Sequence, residues 1–237
     1  MHYKVFWKNY WSKKKSTLFF KNMGRESYDP QSYYIYLSYI SKNLINLNKK
    51  EILLDCGGGD GIFSWMVYPY FKKIYLIDFS QSLINKSKSR FKGLKNIKIY
   101  NEDIRNLNKI RNSRFDKIFV GSVLQYLNSY EDINLVIISL KKLLKKNGII
   151  YFAHNPDVVK KNNFIKSFHN LDWPLNKIKK GITFEKKKRF WLDYKIIKNI
   201  IKNNRLVISS KIVPDNKLFE SSHMFDFYVK KNDQNWK

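Results

Sequence analysis

The sequence has only one cysteine, Cys56, in 237 residues. A single thiol excludes an internal disulfide and any zinc site built from several thiolates, a usage typical of a reducing compartment. The four histidines lie far apart, and no two have the helical spacing of a metal-binding pair. We therefore expect no bound metal. The histidines are His2, His154, His169 and His223.

Long apolar runs are also missing. The longest, at residues 62–68, is broken by Ser64 and is well short of the ~18 residues that a membrane span needs. The first eight residues lack the apolar core and the small-residue cleavage site of a secretory signal. These absences predict a cytoplasmic protein without a membrane span.

Acidic residues are scarce relative to basic ones: 19 Asp and Glu stand against 46 Lys and Arg, a formal net charge of +27. Clustered cations attract nucleic acid because they neutralise its phosphates. Only 7 of the 46 cations are arginine, whereas recognition of phosphates and bases favours the arginine fork. We interpret the dispersed lysines as a solvated surface, with attraction of an anionic substrate as the alternative.

The alternation of apolar runs with helical patterns predicts parallel βαβ units. Hydrophobic residues make up 43% of the chain, enough to bury the core of one α/β domain. We predict helices over about 30–45, 61–70, 80–91, 129–146 and 194–201, and an irregular or helical segment over 156–190. Seven strands are predicted, the last two as antiparallel neighbours: 51–55, 73–78, 96–100, 115–120, 149–153, 206–213 and 224–229.

The most informative motif lies between the first predicted strand and the helix after it. Asp55, Gly57, Gly59 and Gly61 have the spacing D-x-G-x-G-x-G. Glycines there let the backbone approach a ligand and adopt positive φ. A dinucleotide fingerprint would need a glycine at position 62, where the chain has Ile62. The motif therefore predicts a cofactor site of a different kind.

Further carboxylates follow the next two strands. Asp78 ends the second strand and Asp103 follows the third. A carboxylate at the carboxyl end of a strand can accept two hydrogen bonds from a ribose diol. Taken singly, each is explained equally well as a turn or a helix cap. Together with the glycine run they indicate a cofactor site.

On these residues the sequence resembles the class I S-adenosylmethionine-dependent methyltransferases, over roughly residues 48–155 plus the closing strands. The resemblance implies a Rossmann-like α/β fold, with a seven-stranded, mostly parallel sheet sandwiched by helices. It also implies S-adenosylmethionine as cofactor and S-adenosylhomocysteine as product. The expected cofactor-binding residues are Tyr10, Arg25, Asp55, Gly57, Gly59, Gly61, Asp78, Phe79, Asp103, Ile104 and Gly121.

The same resemblance divides one domain, 1–237, into four parts. An N-terminal helical cap covers 1–47, and the cofactor-binding core covers 48–155. A lid insertion follows at 156–190, and a closing helix with the last two strands at 191–237. We expect the cap and the lid to select the substrate, because loops of this kind vary without a readable code.

The acceptor should face the carboxyl ends of strands four and five. We predict His154 as a general base, because imidazole titrates near neutrality, with a structural or substrate-orienting histidine as the alternative. Tyr126 is predicted to orient the acceptor, with plain packing equally open. The residues predicted to contact the substrate are Gln125, Asn155, His169 and His223.

A second resemblance is to small-molecule methyltransferases of bacterial surface-polysaccharide biosynthesis. It is carried by Gly24-Arg25 and by the segments 123–126, 155–157 and 225–227. It implies transfer to oxygen or nitrogen of a small anionic metabolite, phosphorylated or nucleotide-linked. A homodimer is left open as a further partner.

Two other functions are weighed against this one. An RNA methyltransferase is favoured by the charge, but residues 120–123 lack the Asn/Asp-Pro-Pro-aromatic motif typical of base-amine methylation. Carbon-five methylation needs a catalytic cysteine near strands four or five, and Cys56 lies elsewhere. Nucleic acid is therefore not the expected partner. The third function is a cofactor-binding subunit that activates another methyltransferase without catalysis.

Overall fold

The computed structural model describes residues 3–13, 29–46, 50–171, 174–214 and 216–232. Within these residues the helices and strands are, in chain order: α1 (Tyr3–Ser12), α2 (Pro30–Leu44), β1 (Ile52–Cys56), α3 (Ile62–Val67), β2 (Lys73–Asp78), α4 (Gln81–Arg90), β3 (Ile97–Asn101), β4 (Phe115–Gly121), α5 (Tyr130–Leu143), β5 (Leu144–Pro156), α6 (Lys161–Ser167), α7 (Leu175–Lys187), α8 (Tyr194–Asn203), β6 (Leu206–Ile208) and β7 (Met224–Lys231).

The seven strands form one sheet in the order β3-β2-β1-β4-β5-β7-β6. Strands β1 to β5 are parallel, and β7 runs antiparallel to both β5 and β6. The predicted Rossmann-like fold is thereby confirmed, as is the antiparallel pairing of the last two strands. The direction of winding reverses between β1 and β4, and ligands of open α/β sheets bind at such a point.

Helices cover both faces of the sheet. On one face, Ile133 of α5 and Ile197 of α8 pack with buried strand residues such as Leu54 and Phe227. On the other face, α2 and α3 pack on the sheet with Leu53, Ile74 and Phe119. Both faces of the central strands are apolar because both are covered, which is typical of parallel sheets.

Side chains cap the starts of α2 and α5. Asp29 accepts a hydrogen bond from Ser32 N, with Pro30 in the first turn of α2. Ser129 accepts one from Asp132 N at the start of α5. Ser80 occupies the cap position of α4, but its side chain makes no cap hydrogen bond.

Strand β5 is longer than predicted, Leu144–Pro156 in place of 149–153, and three other predicted ends of helices or strands are wrong. Helix α3 ends at Val67 and continues as a 3-10 turn over Tyr68–Tyr70, because Pro69 has no backbone N–H to donate. Helix α5 ends at Leu143, not 146, because buried Leu144 already pairs with Phe115 in the sheet.

The third wrong boundary is the end of β6. The strand stops at Ile208 instead of 213, because Ser209 Oγ accepts the N–H of Tyr228 and interrupts the regular ladder. Ile212 forms only an isolated bridge with Asp226.

The segment between β5 and α8 is helical. Helices α6 and α7 enclose a small core of their own, made of Phe164, Phe168, Ile178 and Trp191. No helix in the described part of the chain is long and apolar enough to span a membrane.

Candidate active site

A cavity opens at the carboxyl ends of β1 to β4, where the winding of the sheet reverses. It encloses about 1330 Å³, counted out to its open mouth. Its walls come from α1, α2 and the loops that follow the four strands. The lining residues are Trp7, Trp11, Tyr33, Tyr36, Asp55, Gly57, Gly58, Gly59, Ile62, Phe63, Ile77, Asp78, Phe79, Leu83, Glu102, Asp103, Ile104, Arg105, Phe119, Gly121, Ser122, Val123, Tyr126, Leu127 and Asn128.

The loop after β1 forms the floor of the cavity. The N–H groups of Gly57 and Gly58 both donate to the carbonyl of Ile77, which folds the loop against β2. Gly57 has φ 70°, and a Cβ at that position would lie 2.4 Å from Val123 Cγ2. Only glycine fits this backbone conformation and this close approach.

Asp55 lies at the end of β1 beneath this loop. Its side chain is almost fully buried, and Ser64 Oγ donates a hydrogen bond of 2.6 Å to Oδ2. The pKa of Asp55 is raised to about 7, chiefly by burial; the hydrogen bond from Ser64 lowers it and the nearby Asp78 adds a smaller increase. Near neutral pH both forms of this carboxyl group are therefore present, and a nearby cation favours the ionised form.

Asp78 ends β2 and faces the same cavity. It accepts hydrogen bonds from Gly59 N at 3.1 Å and from Ser80 N at 2.8 Å. Burial raises the pKa of Asp78 to about 6, although these two donors lower it. Asp78 thus joins the glycine loop to the start of α4.

The loop after β3 supplies Asp103 and Ile104 to the wall. Arg105 binds Asp103 through two hydrogen bonds, of 3.0 Å from Nε and 2.7 Å from Nη2. The same guanidinium reaches Asp132 on α5 at 3.1 Å. Arg105 therefore fixes the orientation of Asp103 at the cavity edge.

Aromatic side chains of α1 cover the cavity. The ring of Trp7 lies 4.5 Å from that of Tyr126 and 5.7 Å from that of Phe184 on α7. Trp11 lies 5.5 Å from Tyr126. The predicted cap helix is thus present, and Tyr126 faces the cavity as well as packing.

Tyr10 lies on α1 beside this cover but is not among the described lining residues. Its ring packs at 5.9 Å from Phe184. The pKa of Tyr10 is raised to about 12, chiefly by burial; Tyr126 and Glu185 also raise it, and the charge of Arg189 lowers it. The side chain of Tyr10 therefore lies at the contact between its own helix, α1, and α7.

A second aromatic part of the cavity wall, from α2, α3 and β4, was not predicted. Tyr33 and Tyr36 project from α2, with their ring centres 5.8 Å apart. Phe63 and Phe119 pack at 4.6 Å and line the same part of the cavity. The three-residue spacing of the two tyrosines places them on one face of α2, which indicates a buried face but not a cavity wall.

His154 does not reach the cavity. It is fully buried at the end of β5, and its ring centre lies 5.0 Å from that of Tyr36, which does line the cavity. A base must come within hydrogen-bond reach of the proton that it takes. The position of His154 behind Tyr36 disfavours the predicted base role.

The four residues predicted to contact the substrate are likewise not among the described lining residues. Gln125 is buried and donates to Ser122 O, and Asn155 donates to Phe225 O inside the sheet. His223 is buried and stacks on Phe164 at 3.7 Å. His169 is exposed in a turn after α6. Substrate contact by these four residues therefore stays a prediction.

Two further predicted cofactor residues need separate mention. Gly61 caps α3 with φ 83°, and a Cβ there would lie 2.5 Å from Phe91, so it serves packing below the loop. Arg25 lies outside the described residues. No cluster of three or more metal-ligating side chains occurs within the ranges that the structure describes.

A family model described as "Methyltransferase domain" matches residues 47–204. The match includes the glycine loop and the carboxylates at the ends of β1, β2 and β3. No curated protein matches the chain.

Solved structures with this fold include several methyltransferases. The N-methyltransferase NodS from Bradyrhizobium japonicum WM9, bound to S-adenosylhomocysteine, is 14% identical with a TM-score of 0.62 and covers 97% of this chain and 99% of its own. Magnesium protoporphyrin IX methyltransferase from Synechocystis PCC 6803 is 12% identical, with a TM-score of 0.61 and the same coverage. An S-adenosylmethionine-dependent methyltransferase from Clostridium acetobutylicum ATCC 824 is 18% identical, with a TM-score of 0.60, and covers 90% and 96%.

Proposed function

The chain belongs to the methyltransferase-domain family and is an S-adenosylmethionine-dependent methyltransferase, and we propose that it methylates an oxygen or nitrogen atom of a small molecule. The observation that carries this proposal is the cavity at the carboxyl ends of β1 to β4. Carboxylates and the glycine loop form one side of it, and an aromatic cover forms the other. The cofactor supplies an electrophilic methyl group when bound.

The residues of the cavity floor fit this cofactor. Each oxygen of a carboxylate has two acceptor sites, so Asp78 can accept from ribose hydroxyls as well as from Gly59 and Ser80. Asp55 is suited to the ammonium group of the methionine part. A Cβ at Gly58 would lie 2.8 Å from Asp55 Oδ2. The absence of a side chain at Gly58 therefore lets the ammonium group approach this carboxylate.

The loop after β3 is proposed to hold the adenine ring. Phe79 and Ile104 offer apolar contacts in the same wall. Asp103, held by Arg105, is oriented to accept a hydrogen bond from the adenine amino group. A Cβ at Gly121, at the end of β4, would lie 2.5 Å from Cζ of Phe119, so glycine there leaves room for this wall residue.

The aromatic cover is proposed to exclude water from the reacting groups. Methyl transfer is an in-line displacement, in which positioning and removal of water from the nucleophile supply much of the acceleration. Trp7, Trp11 and Tyr126 form the cover, and Tyr126 is the proposed orienting residue for the acceptor. A base is needed only when the acceptor is a hydroxyl or a protonated amine.

A finer proposal concerns the acceptor, as an anionic, phosphorylated or nucleotide-linked metabolite of surface-polysaccharide biosynthesis. The net charge of +27 and the second sequence resemblance support it. Among the described lining residues, however, Arg105 is the only cation, and it already pairs with Asp103 and Asp132. An acceptor phosphate is therefore expected to contact basic residues beyond the described walls.

The test combines calorimetry with substitution of Asp78. Asp78→Asn should weaken S-adenosylmethionine binding by roughly 10- to 100-fold, because hydrogen bonds to charged groups are lost. Asp116→Asn is the matched control, since Asp116 lies at the amino end of β4, away from the cavity, and should leave binding unchanged.

Acceptors are then screened by transfer of a labelled methyl group to sugars, nucleotide-linked sugars, amines and phosphorylated metabolites. Transfer to a small molecule, lost in Asp78→Asn, is the expected result. Tight cofactor binding without transfer to any of these classes would contradict the proposal.

A further inference from the structure

A buried carboxylate lies behind the cavity, in strand β7. Asp226 is fully buried and accepts three hydrogen bonds: from Tyr39 Oη at 2.9 Å, from Tyr151 Oη at 2.6 Å and from His154 N at 2.6 Å. A buried charge must be hydrogen-bonded to persist. These three donors therefore tie α2, β5 and β7 to one point.

The hydrogen bond to His154 N holds an unusual backbone conformation. His154 has φ 56°, in the left-handed region that non-glycine residues rarely occupy. The register between β5 and β7 shifts between Phe152 and Asn155, so His154 lies in a bulge. Bulges of this kind redirect a side chain.

The bulge directs the His154 ring onto helix α2. Its centre lies 5.0 Å from that of Tyr36, with the planes tilted by 30°, and 6.2 Å from that of Tyr39. Tyr36 is a wall residue of the cavity and belongs to the same buried cluster as Ile62 and Phe63, which follow the glycine loop. Support for Tyr36 from behind is therefore support for the cavity wall.

We propose that His154 is a positioning residue whose buried ring holds Tyr36 in the cavity wall, and that Asp226 fixes His154 in the conformation that this requires. The proposal rests on the cofactor site described above. It assigns His154 a role without proton transfer, and it makes Tyr36 the residue through which His154 acts on the bound ligand.

The first test compares two substitutions to glycine at positions with nearly the same positive φ. His154→Gly removes the ring, while glycine accepts the positive φ. Arg205→Gly is the matched control, because Arg205 has φ 55° and is exposed, away from the cavity. Calorimetry with S-adenosylhomocysteine should give roughly tenfold weaker binding for His154→Gly. Arg205→Gly should bind like the unaltered protein.

A rescue variant separates positioning from acid–base chemistry. His154→Phe keeps a ring against Tyr36 but carries no titratable nitrogen, so it should restore most of the affinity lost in His154→Gly. Affinity for S-adenosylhomocysteine that is unchanged in His154→Gly would overturn the proposal. So would equal loss in His154→Gly and His154→Phe.

A measurement on the unaltered protein covers the case in which His154→Gly does not fold. With ¹⁵N-labelled histidine, the four histidines give four sets of ring signals, and those of His154 should shift when S-adenosylhomocysteine is added. His154 signals that stay fixed while calorimetry shows binding would overturn the positioning role alone. Absence of binding to the unaltered protein would overturn the cofactor site as well.

Discussion

Two carboxyl groups on the cavity floor are held in an environment that disfavours their charged forms. Burial raises the pKa of Asp55 to about 7 and that of Asp78 to about 6. The backbone donors Gly59 and Ser80 offset only part of this effect at Asp78. A ligand that brings a positive charge and hydroxyl donors favours the ionised forms and lowers both pKa values, so binding of the cofactor and ionisation of these residues are linked.

We expect S-adenosylmethionine to bind more tightly as the pH rises from 5.5 to 8. The ionised carboxylates are the forms that accept hydrogen bonds from ammonium and hydroxyl groups, and both are largely protonated at pH 5.5. The Kd should therefore fall by roughly 30- to 100-fold and level off near pH 8. Calorimetry in two buffers of different ionisation enthalpy should show net proton release near pH 6.5. A Kd that is independent of pH would contradict this account.

The raised pKa of Asp55 also makes the stability of the folded protein depend on pH. Measuring this dependence is the control for the binding prediction. A raised pKa in the folded state means that protonated Asp55 favours folding at acid pH, and this contribution is lost as the pH rises through 7. Asp55→Asn, which stays neutral, should therefore melt at a higher temperature than the unaltered protein at pH 8. The difference should shrink as the pH falls from 7 and disappear below pH 3.8, where Asp55 is protonated in both the folded and the unfolded state.

At the scale of elements, helix α1 is held in place by aromatic contacts. Trp7 is 1% exposed and packs between Tyr126 after β4 and Phe184 on α7. Lys188 lies over the ring of Phe6 at 4.5 Å, which adds a cation–π contact to α7. The cover of the cavity therefore depends on the segment between β5 and α8.

Trp7→Ala should uncover the cofactor site without unfolding the sheet. We expect S-adenosylmethionine to bind at least tenfold more weakly, because truncation of a buried tryptophan removes about 3–5 kcal/mol of packing, here between α1 and its neighbours. Calorimetry and thermal melting measure the two effects. Tyr34→Ala, which truncates an exposed aromatic residue on α2, is the control. A Trp7→Ala protein with unchanged affinity would show that α1 is not a cover.

The central strands were predictable because their signals are local. Strands β1 to β4 begin and end within one residue of the predicted positions, and the carboxylates Asp55, Asp78 and Asp103 all line the cavity as expected. A buried run that ends at glycine or aspartate marks both the strand and the edge of the sheet where ligands bind.

The aromatic walls were not predictable because they depend on packing between distant segments. Nothing in the local pattern distinguishes Trp7 or Tyr36 from an ordinary core residue, and only the docking of α1 and α2 directs them into the cavity. His154 shows the converse case. Its place at the end of β5 suggested chemistry, but a bulge held by Asp226 turns its ring inward.

At the scale of the whole molecule, the positive charge and the cavity are separate. No described lysine lines the cavity, while lysines such as Lys86, Lys146 and Lys187 are exposed. The described walls carry four carboxylates, of Asp55, Asp78, Glu102 and Asp103. A net charge of +27 is therefore chiefly a property of the outer surface.

This separation predicts weak, salt-sensitive binding of RNA without methyl transfer to it. Surface lysines neutralise phosphates and release counterions, so affinity for single-stranded RNA should fall by roughly a hundredfold or more between 50 and 200 mM salt. Filter binding at the two salt concentrations measures the affinity, and labelled S-adenosylmethionine measures transfer. Contacts between dispersed lysines and RNA phosphates carry no sequence information, so the RNA sequence should make little difference to the affinity. Methyl transfer to RNA at 200 mM salt, abolished by Asp78→Asn, would establish the alternative instead, because only a site that brings a base into the cavity would survive the loss of surface attraction.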